Sequence, residues 1–168
     1  MQQKIQKFHL TREEKERQAY RFAAQNLLAK IQDKNVKVVG MTTSLPDQAL
    51  QQRAAVRLAE ELWGLKVPLQ LMVLGAKQLP QVQVPATALE EYDAALLASH
   101  LKKLEPGTLA LVSIPPVRLF TESLDCLSLT DGAVLLERYG YTGYKAYEET
   151  LWRMEQKGVQ VLGLLTVR

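Results

Sequence analysis

Cysteine is almost missing from this chain, and histidine nearly so. The single thiol, Cys126, can close no intramolecular disulfide, and it lies among Leu124, Leu127 and Leu129, where a small buried thiol is ordinary. The two histidines, His9 and His100, have no ligand spacing to each other or to Cys126, so a zinc site is not expected. No apolar run is long enough to span a bilayer, and Met1–Leu10 is polar and basic without an apolar centre. Neither a signal peptide nor direct membrane insertion is therefore expected, and a cytoplasmic location follows. An excess of one charge is lacking too: 21 Lys and Arg face 18 Asp and Glu, a net +3 mixed along the chain, which gives no case for nucleic acid as a partner. Internal repeats and low-complexity tracts are absent.

What is present is enough apolar material for a core. A length of 168 residues with 47% hydrophobic content predicts one structural domain that folds without metal or disulfide. Thr11-Arg-Glu-Glu14 sets a hydroxyl three residues before a carboxylate, the pattern of a capping box, and predicts a helix to about Asp33. Ala19, Phe22, Ala23, Leu27 and Ile31 recur at helical spacing as an apolar stripe for the domain or a partner. Residues 1–34 thus read as an N-terminal helical segment for partner or oligomer contacts, and residues 35–168 as the body of the domain.

In that body the β-branched run Val36–Met41 predicts a strand, followed by the polar turn Thr42-Thr-Ser44 and a helix from Asp47 to Trp63 with Gly64 as its stop. Val67–Leu74 reads as a second strand weakened by Pro68, Lys77–Pro85 as a polar connection, and Leu89–Leu104 as a helix. Leu109–Val112, Ala133–Leu136 and Val159–Leu165 are short apolar runs suited to buried parallel strands. Strands alternating with helices predict an α/β fold: a three-layer α/β/α sandwich on a mostly parallel sheet of five or six strands, with right-handed crossovers.

Ligands of open parallel sheets collect at the carboxyl ends of strands, which directs attention to the turn after the first strand. A phosphate loop there needs glycines to bring backbone amides around the phosphates, a Lys to neutralise them and a Ser or Thr for magnesium. Residues 45–52 contain no Gly and no Lys. Asp47 adds negative charge where a phosphate would sit, and Ser44 and Asp47 are suited to capping the following helix.

The segments Leu109-Ala-Leu-Val-Ser-Ile-Pro-Pro-Val117, Thr121-Glu-Ser-Leu124, Thr130-Asp-Gly-Ala-Val-Leu-Leu-Glu-Arg138 and Gly158-Val-Gln-Val-Leu-Gly-Leu-Leu165 agree in order and spacing with one family pattern. So do Gln18-Ala-Tyr-Arg-Phe-Ala-Ala-Gln-Asn-Leu27 and Val38-Val-Gly-Met-Thr-Thr-Ser-Leu-Pro46. Across nearly its whole length the chain resembles the cytoplasmic bacterial tyrosine kinases (BY-kinases) of capsule and exopolysaccharide export, a deviant Walker branch of the P-loop NTPases. The resemblance implies a P-loop NTPase-like fold.

The departures fall on the family's catalytic positions. Where it carries Gly-Glu-Gly-Lys-Ser/Thr-Thr, this chain has Asp47-Gln-Ala-Leu-Gln-Gln52. The degenerate phosphate-loop region comprises Ser44, Pro46, Asp47, Gln48, Ala49, Leu50 and Gln51. Ser113 replaces the Walker B Asp, Leu71 and Val73 fall near the two aspartates of the other Walker-type strand, and Val167 stands for the base-contacting Asn. Losing phosphate clamp, magnesium carboxylates and base contact together predicts a pseudokinase without catalytic residues, metal, or ATP and magnesium as cofactors.

The family's oligomerising Glu-x-x-Arg-x-x-Arg helix appears as Gln18, Arg21 and Ala24, which leaves its self-association in doubt here. By resemblance, the expected partner is a membrane-embedded polysaccharide co-polymerase (the chain-length regulator) or an active BY-kinase, so that the inner face of the membrane is reached through a partner. Gln18, Arg21 and Ala24, with Tyr139, Tyr141 and Tyr144, are the candidate partner contacts. Tyr147 belongs to the same cluster, whose simpler reading is turn and helix tyrosines with wet hydroxyls. Glu122, Asp131, Asp47 and Glu137 could be offered as a metal cluster, but turn chemistry accounts for Asp131-Gly132. Ser113 has no histidine in a suggestive relation and reads as a polar strand end. The leading expectation is a regulatory interaction protein of polysaccharide export. A weak nucleotide-binding protein with atypical ligands and a structural protein that retains only the fold are the alternatives.

Overall fold

The computed structural model describes residues 10–79 and 81–167. The elements follow in the order α1 (Arg12–Lys34), β1 (Val38–Thr43), α2 (Gln48–Gly64), β2 (Leu69–Leu74), β3 (Ala86–Leu89), α3 (Ala94–Lys102), β4 (Leu109–Ser113), α4 (Thr121–Leu127), β5 (Gly132–Arg138), α5 (Tyr144–Gln156) and β6 (Val161–Val167). The six strands form one sheet in the order β3-β2-β4-β1-β5-β6, and every pair is parallel. This is the α/β sandwich expected, with the strand count at the upper of the two expected values.

Alternate residues along a strand face opposite sides, and the central strands bury both. On one side Val39, Met41, Leu71, Val73, Leu111, Val134 and Leu136 meet α1 and α2 through Tyr20, Ala24, Leu27, Leu58 and Leu62. On the other, Met72, Leu74, Ala110, Val112, Ala133 and Leu135 meet Leu97, Leu127 and Met154 of α3, α4 and α5. Two glycines set the spacing. A Cβ at Gly40 would lie 2.9 Å from Leu127 Cδ1, and one at Gly132 only 2.6 Å from Leu162 Cγ, so each strand passes its neighbour where no side chain fits.

Helix α1 begins as its capping box dictates: Thr11 Oγ1 accepts from Glu14 N at 3.2 Å, and Glu14 Oε2 accepts from Thr11 N at 2.7 Å. Of the expected stripe Leu27 is buried and Ala23 and Ile31 pack partly against the core, but Tyr20 and Ala24 are buried in place of Ala19 and Phe22, so the docking face is shifted toward them. Ala19 is exposed and Phe22 keeps 65% of its surface open, because the tyrosine ring takes the inner position over α2.

The expected helix from Leu89 to Leu104 needs correction at its start. Residues 86–89 form the edge strand β3, and α3 begins at Ala94 behind an Asp93 cap whose Oδ1 accepts from Ala95 N at 2.7 Å. Leu89 is buried as a strand residue, its carbonyl accepting from Gly75 N at 2.7 Å. Strand β1 also runs two residues beyond the expected end, since Thr42 and Thr43 pair with Leu135 and Leu136.

Candidate functional site

The carboxyl ends of β1, β4 and β5 lie side by side at the middle of the sheet. The chain leaves β1 through α2 toward β2 and leaves β4 through α4 toward β5, in opposite senses, which is where open α/β sheets form a crevice. Residues 44–47 make the β1–α2 turn there.

Four donors in and around this turn, Ser44 N, Ser44 Oγ, Leu45 N and Leu50 N, are taken up by the chain itself. Leu50 N donates to Asp47 Oδ1 at 3.0 Å, making Asp47 the helix cap expected of it, and Leu45 N donates to Thr43 Oγ1 at 3.1 Å. Ser44, expected to share the capping, does something else. Its backbone N and its Oγ both donate to Glu137 Oε1, at 3.1 and 2.6 Å, across from the end of β5. Glu137 Oε2 accepts from Thr142 Oγ1 at 2.8 Å, and Thr142 Oγ1 accepts in turn from Arg138 N at 3.1 Å. Glu137 is only 6% exposed, and these bonds are what make a buried carboxylate tolerable. Arg118, after β4, leans in: its Nη2 lies 3.5 Å from the Ser44 carbonyl oxygen and its Nη1 3.9 Å from Glu149. Its Nε is buried without a partner among the described residues.

Behind this network lies a second, built on Gln51. Its Nε2 donates to Met41 O at 3.0 Å, to Ser113 Oγ at 3.2 Å and to Ile114 O, joining α2 to the ends of β1 and β4. Gln51 Oε1 is buried without a partner among the described residues. Ser113 thus lies fully buried beside an amide. Thr42 Oγ1 adds a bond of 3.3 Å to Pro115 O. Of the other turn residues, Pro46 and Ala49 are exposed and Gln48 and Leu50 are half-buried.

The four acidic residues weighed as a metal cluster do not assemble. Asp131 lies at the opposite end of the strands, where its Oδ2 accepts from Lys37 N and Val38 N at 2.8 and 2.9 Å. Glu122 lies on α4, and among the described residues no three His, Cys, Asp or Glu gather as metal ligands. His9 falls outside the described residues; His100 is half-buried on α3.

Tyr139 and Tyr141 on the β5–α5 turn and Tyr144 at the start of α5 keep 73, 66 and 73% of their surface open, while Tyr147, on α5, is half-buried against the core. The Arg138 guanidinium lies 3.9 Å from the centre of the Tyr141 ring, and a hydrogen bond with Glu148 holds the Tyr144 phenol above its usual range. On α1, Gln18 is exposed and Arg21 Nε lies 3.6 Å from Glu61 Oε2 on α2. Ala24 is wholly buried against the domain and so presents no side chain to a partner. Thr142 and Arg118 escaped the sequence reading. The visible signal was Glu137 itself, one acidic residue closing the buried apolar run Ala133–Leu136 at the ligand end of a strand.

Neither a protein-family model nor a curated protein sequence matches the chain. Solved structures do match in fold. The BceF tyrosine kinase domain superposes with a TM-score of 0.70 at 14% identity, covering 89% of this chain and 76% of its own. The kinase domain of the Escherichia coli tyrosine kinase ETK gives 0.68 at 14%, covering 89% and 74%. The VpsO kinase domain gives 0.63 at 14%, covering 93% and 97%. At such identity the likeness shows the fold alone: a parallel α/β domain of the kind those tyrosine kinase domains have.

Proposed function

We propose that this chain is a non-catalytic relative of the BY-kinases, acting through protein contacts in capsule or exopolysaccharide export rather than through phosphoryl transfer. The observation that carries the reading is the β1–α2 turn, closed by the chain's own carboxylates. Glu137 takes both donors of Ser44, and Asp47 takes the Leu50 amide. A nucleotide's phosphates do not fit this donor set. They would meet two carboxylates where a phosphate loop offers a lysine, and magnesium would meet Ser113, already bonded to Gln51, in place of an aspartate.

The likeness in fold to tyrosine kinase domains supports a partner of the same setting: the cytoplasmic end of a membrane-embedded chain-length regulator, or an active kinase of that group. The contacts would come from the exposed face of α1 around Gln18 and Arg21 and from the tyrosine turn at Tyr139, Tyr141 and Tyr144. Two assays test the reading. With ATP, magnesium and a tyrosine-containing acceptor, the protein is expected to yield neither phosphotyrosine nor inorganic phosphate above a blank. In pull-down with the cytoplasmic segments of polysaccharide co-polymerases it is expected to bind at micromolar concentration. Turnover, or binding to neither such segments nor an active kinase of that group, would contradict it.

A further inference from the structure

We infer that the donors around Ser44 form an oxyanion site that the protein fills with its own Glu137. The inference rests on the non-catalytic reading above and names the device behind it: an intramolecular carboxylate in the place of a free anion. Ser44 N and Ser44 Oγ converge on one carboxylate oxygen at 3.1 and 2.6 Å, and Thr142 Oγ1 holds the other at 2.8 Å. Two donors on a single oxygen and a third on its companion are what a phosphate, sulfate or acetate ion would equally accept, because all present the same anionic oxygens. The charges around it are mixed: Asp47, the cap of α2, opposes an anion, and Arg118 also faces Glu149 at 3.9 Å, while two features favour one. Helix α2, 17 residues long, begins four residues after Ser44, and the Arg118 guanidinium lies 3.5 Å from the Ser44 carbonyl with its Nε unpartnered among the described residues. Glu137 reaches this point from the last turn of a buried strand, 94% covered, so solvent anions do not compete for the donors while it is in place.

Trimming the carboxylate should therefore uncover a site for a small oxyanion. Glu137→Ala, titrated with sodium phosphate and separately with sodium acetate against sodium chloride of equal ionic strength, is expected to gain thermal stability. A rise of about 3 °C or more over the chloride control is expected for a domain of this size. The intact protein is expected to stay flat apart from the general salting effect, and so is the isosteric Glu137→Gln, whose amide still fills the space. The double variant with Ser44→Ala is expected to lose the gain. Should Glu137→Ala be unfolded in chloride, the same titration is read as recovery of circular dichroism with phosphate or acetate. No anion-dependent gain in either readout would overturn the inference, as would an equal gain in Glu137→Gln or the intact protein. Failure of the non-catalytic reading is distinguishable in the same series, because it shows as stabilisation of the intact protein by ATP and magnesium.

Discussion

A primary amide in an apolar interior lowers stability unless its hydrogens are placed, and Gln51 places them on two strand-end carbonyls and a serine. Replacing it with Leu keeps the bulk but takes the donor from the Ser113 hydroxyl and the Ile114 carbonyl, while Met41 O still accepts from Ile114 N at 2.9 Å. We expect a loss of about 1–3 kcal/mol in urea unfolding, with little change in the circular dichroism of the native state. A different residue-scale effect concerns pH. Burial, aided by Asp125, pushes the Cys126 thiol up to about 11 from an ordinary 9.0, and burial likewise raises Tyr20. In both groups the neutral form is the one the fold favours. Their contribution is complete below the unfolded value and is lost as pH rises toward the folded one, so stability is expected to fall between about pH 9 and 11. The urea midpoint of Cys126→Ala should decline less steeply across that window than that of the intact protein. An identical slope would remove the thiol from the account. At this scale the sequence told only part: Asp47 as a cap follows from its place before an apolar periodic run, whereas the pairing of Ser44 with Glu137 joins positions 93 residues apart and depends on strand order.

Among the elements, the start and extent of α1 were legible because its start is local chemistry. Thr11 and Glu14 satisfy each other's backbone amides within one turn. Thr11→Ala is expected to cost about 1 kcal/mol, read by thermal or urea unfolding. The face that α1 buries was legible only in part: Ala23, Leu27 and Ile31 of the expected stripe meet the core, while Tyr20 and Ala24 are buried where Ala19 and Phe22 were expected. The choice is made by α2, where Arg57 lies over the Tyr20 ring at 5.7 Å and pairs with Glu16 at 2.9 Å. Strand β3 was hidden for a related reason. Ala86–Leu89 has no β-branched run, and its pairing with β2 from Leu71 to Leu74 supplies the order that local preference does not. Close approach between elements gives the sharpest structural test. Gly132→Ala would press a methyl group into Leu162, and since the nearest contact is the branch point of that side chain it cannot swing clear. A loss of about 1–3 kcal/mol is expected, and a neutral result would mean that β5 and β6 are spaced more widely than described.

For the molecule as a whole, the alternation of short apolar runs with helices was sufficient to read a parallel sheet covered on both faces, because each run is too brief for a core helix and too apolar for a surface strand. The meeting of strand ends after β1 was legible as a location. The bonds of Glu137 across it were not, since Glu137 carries no motif and reaches Ser44 only where β1 and β5 are neighbours. The central claim, that this fold no longer serves a nucleotide, meets its most direct test in thermal unfolding of the intact protein with millimolar ATP and ADP, with and without magnesium. A ligand at about 100 times its dissociation constant stabilises by roughly 2.7 kcal/mol, a shift of several degrees. We predict no nucleotide-dependent shift. A clear magnesium-dependent rise would mean that other residues rebuild the phosphate site, and would contradict the account.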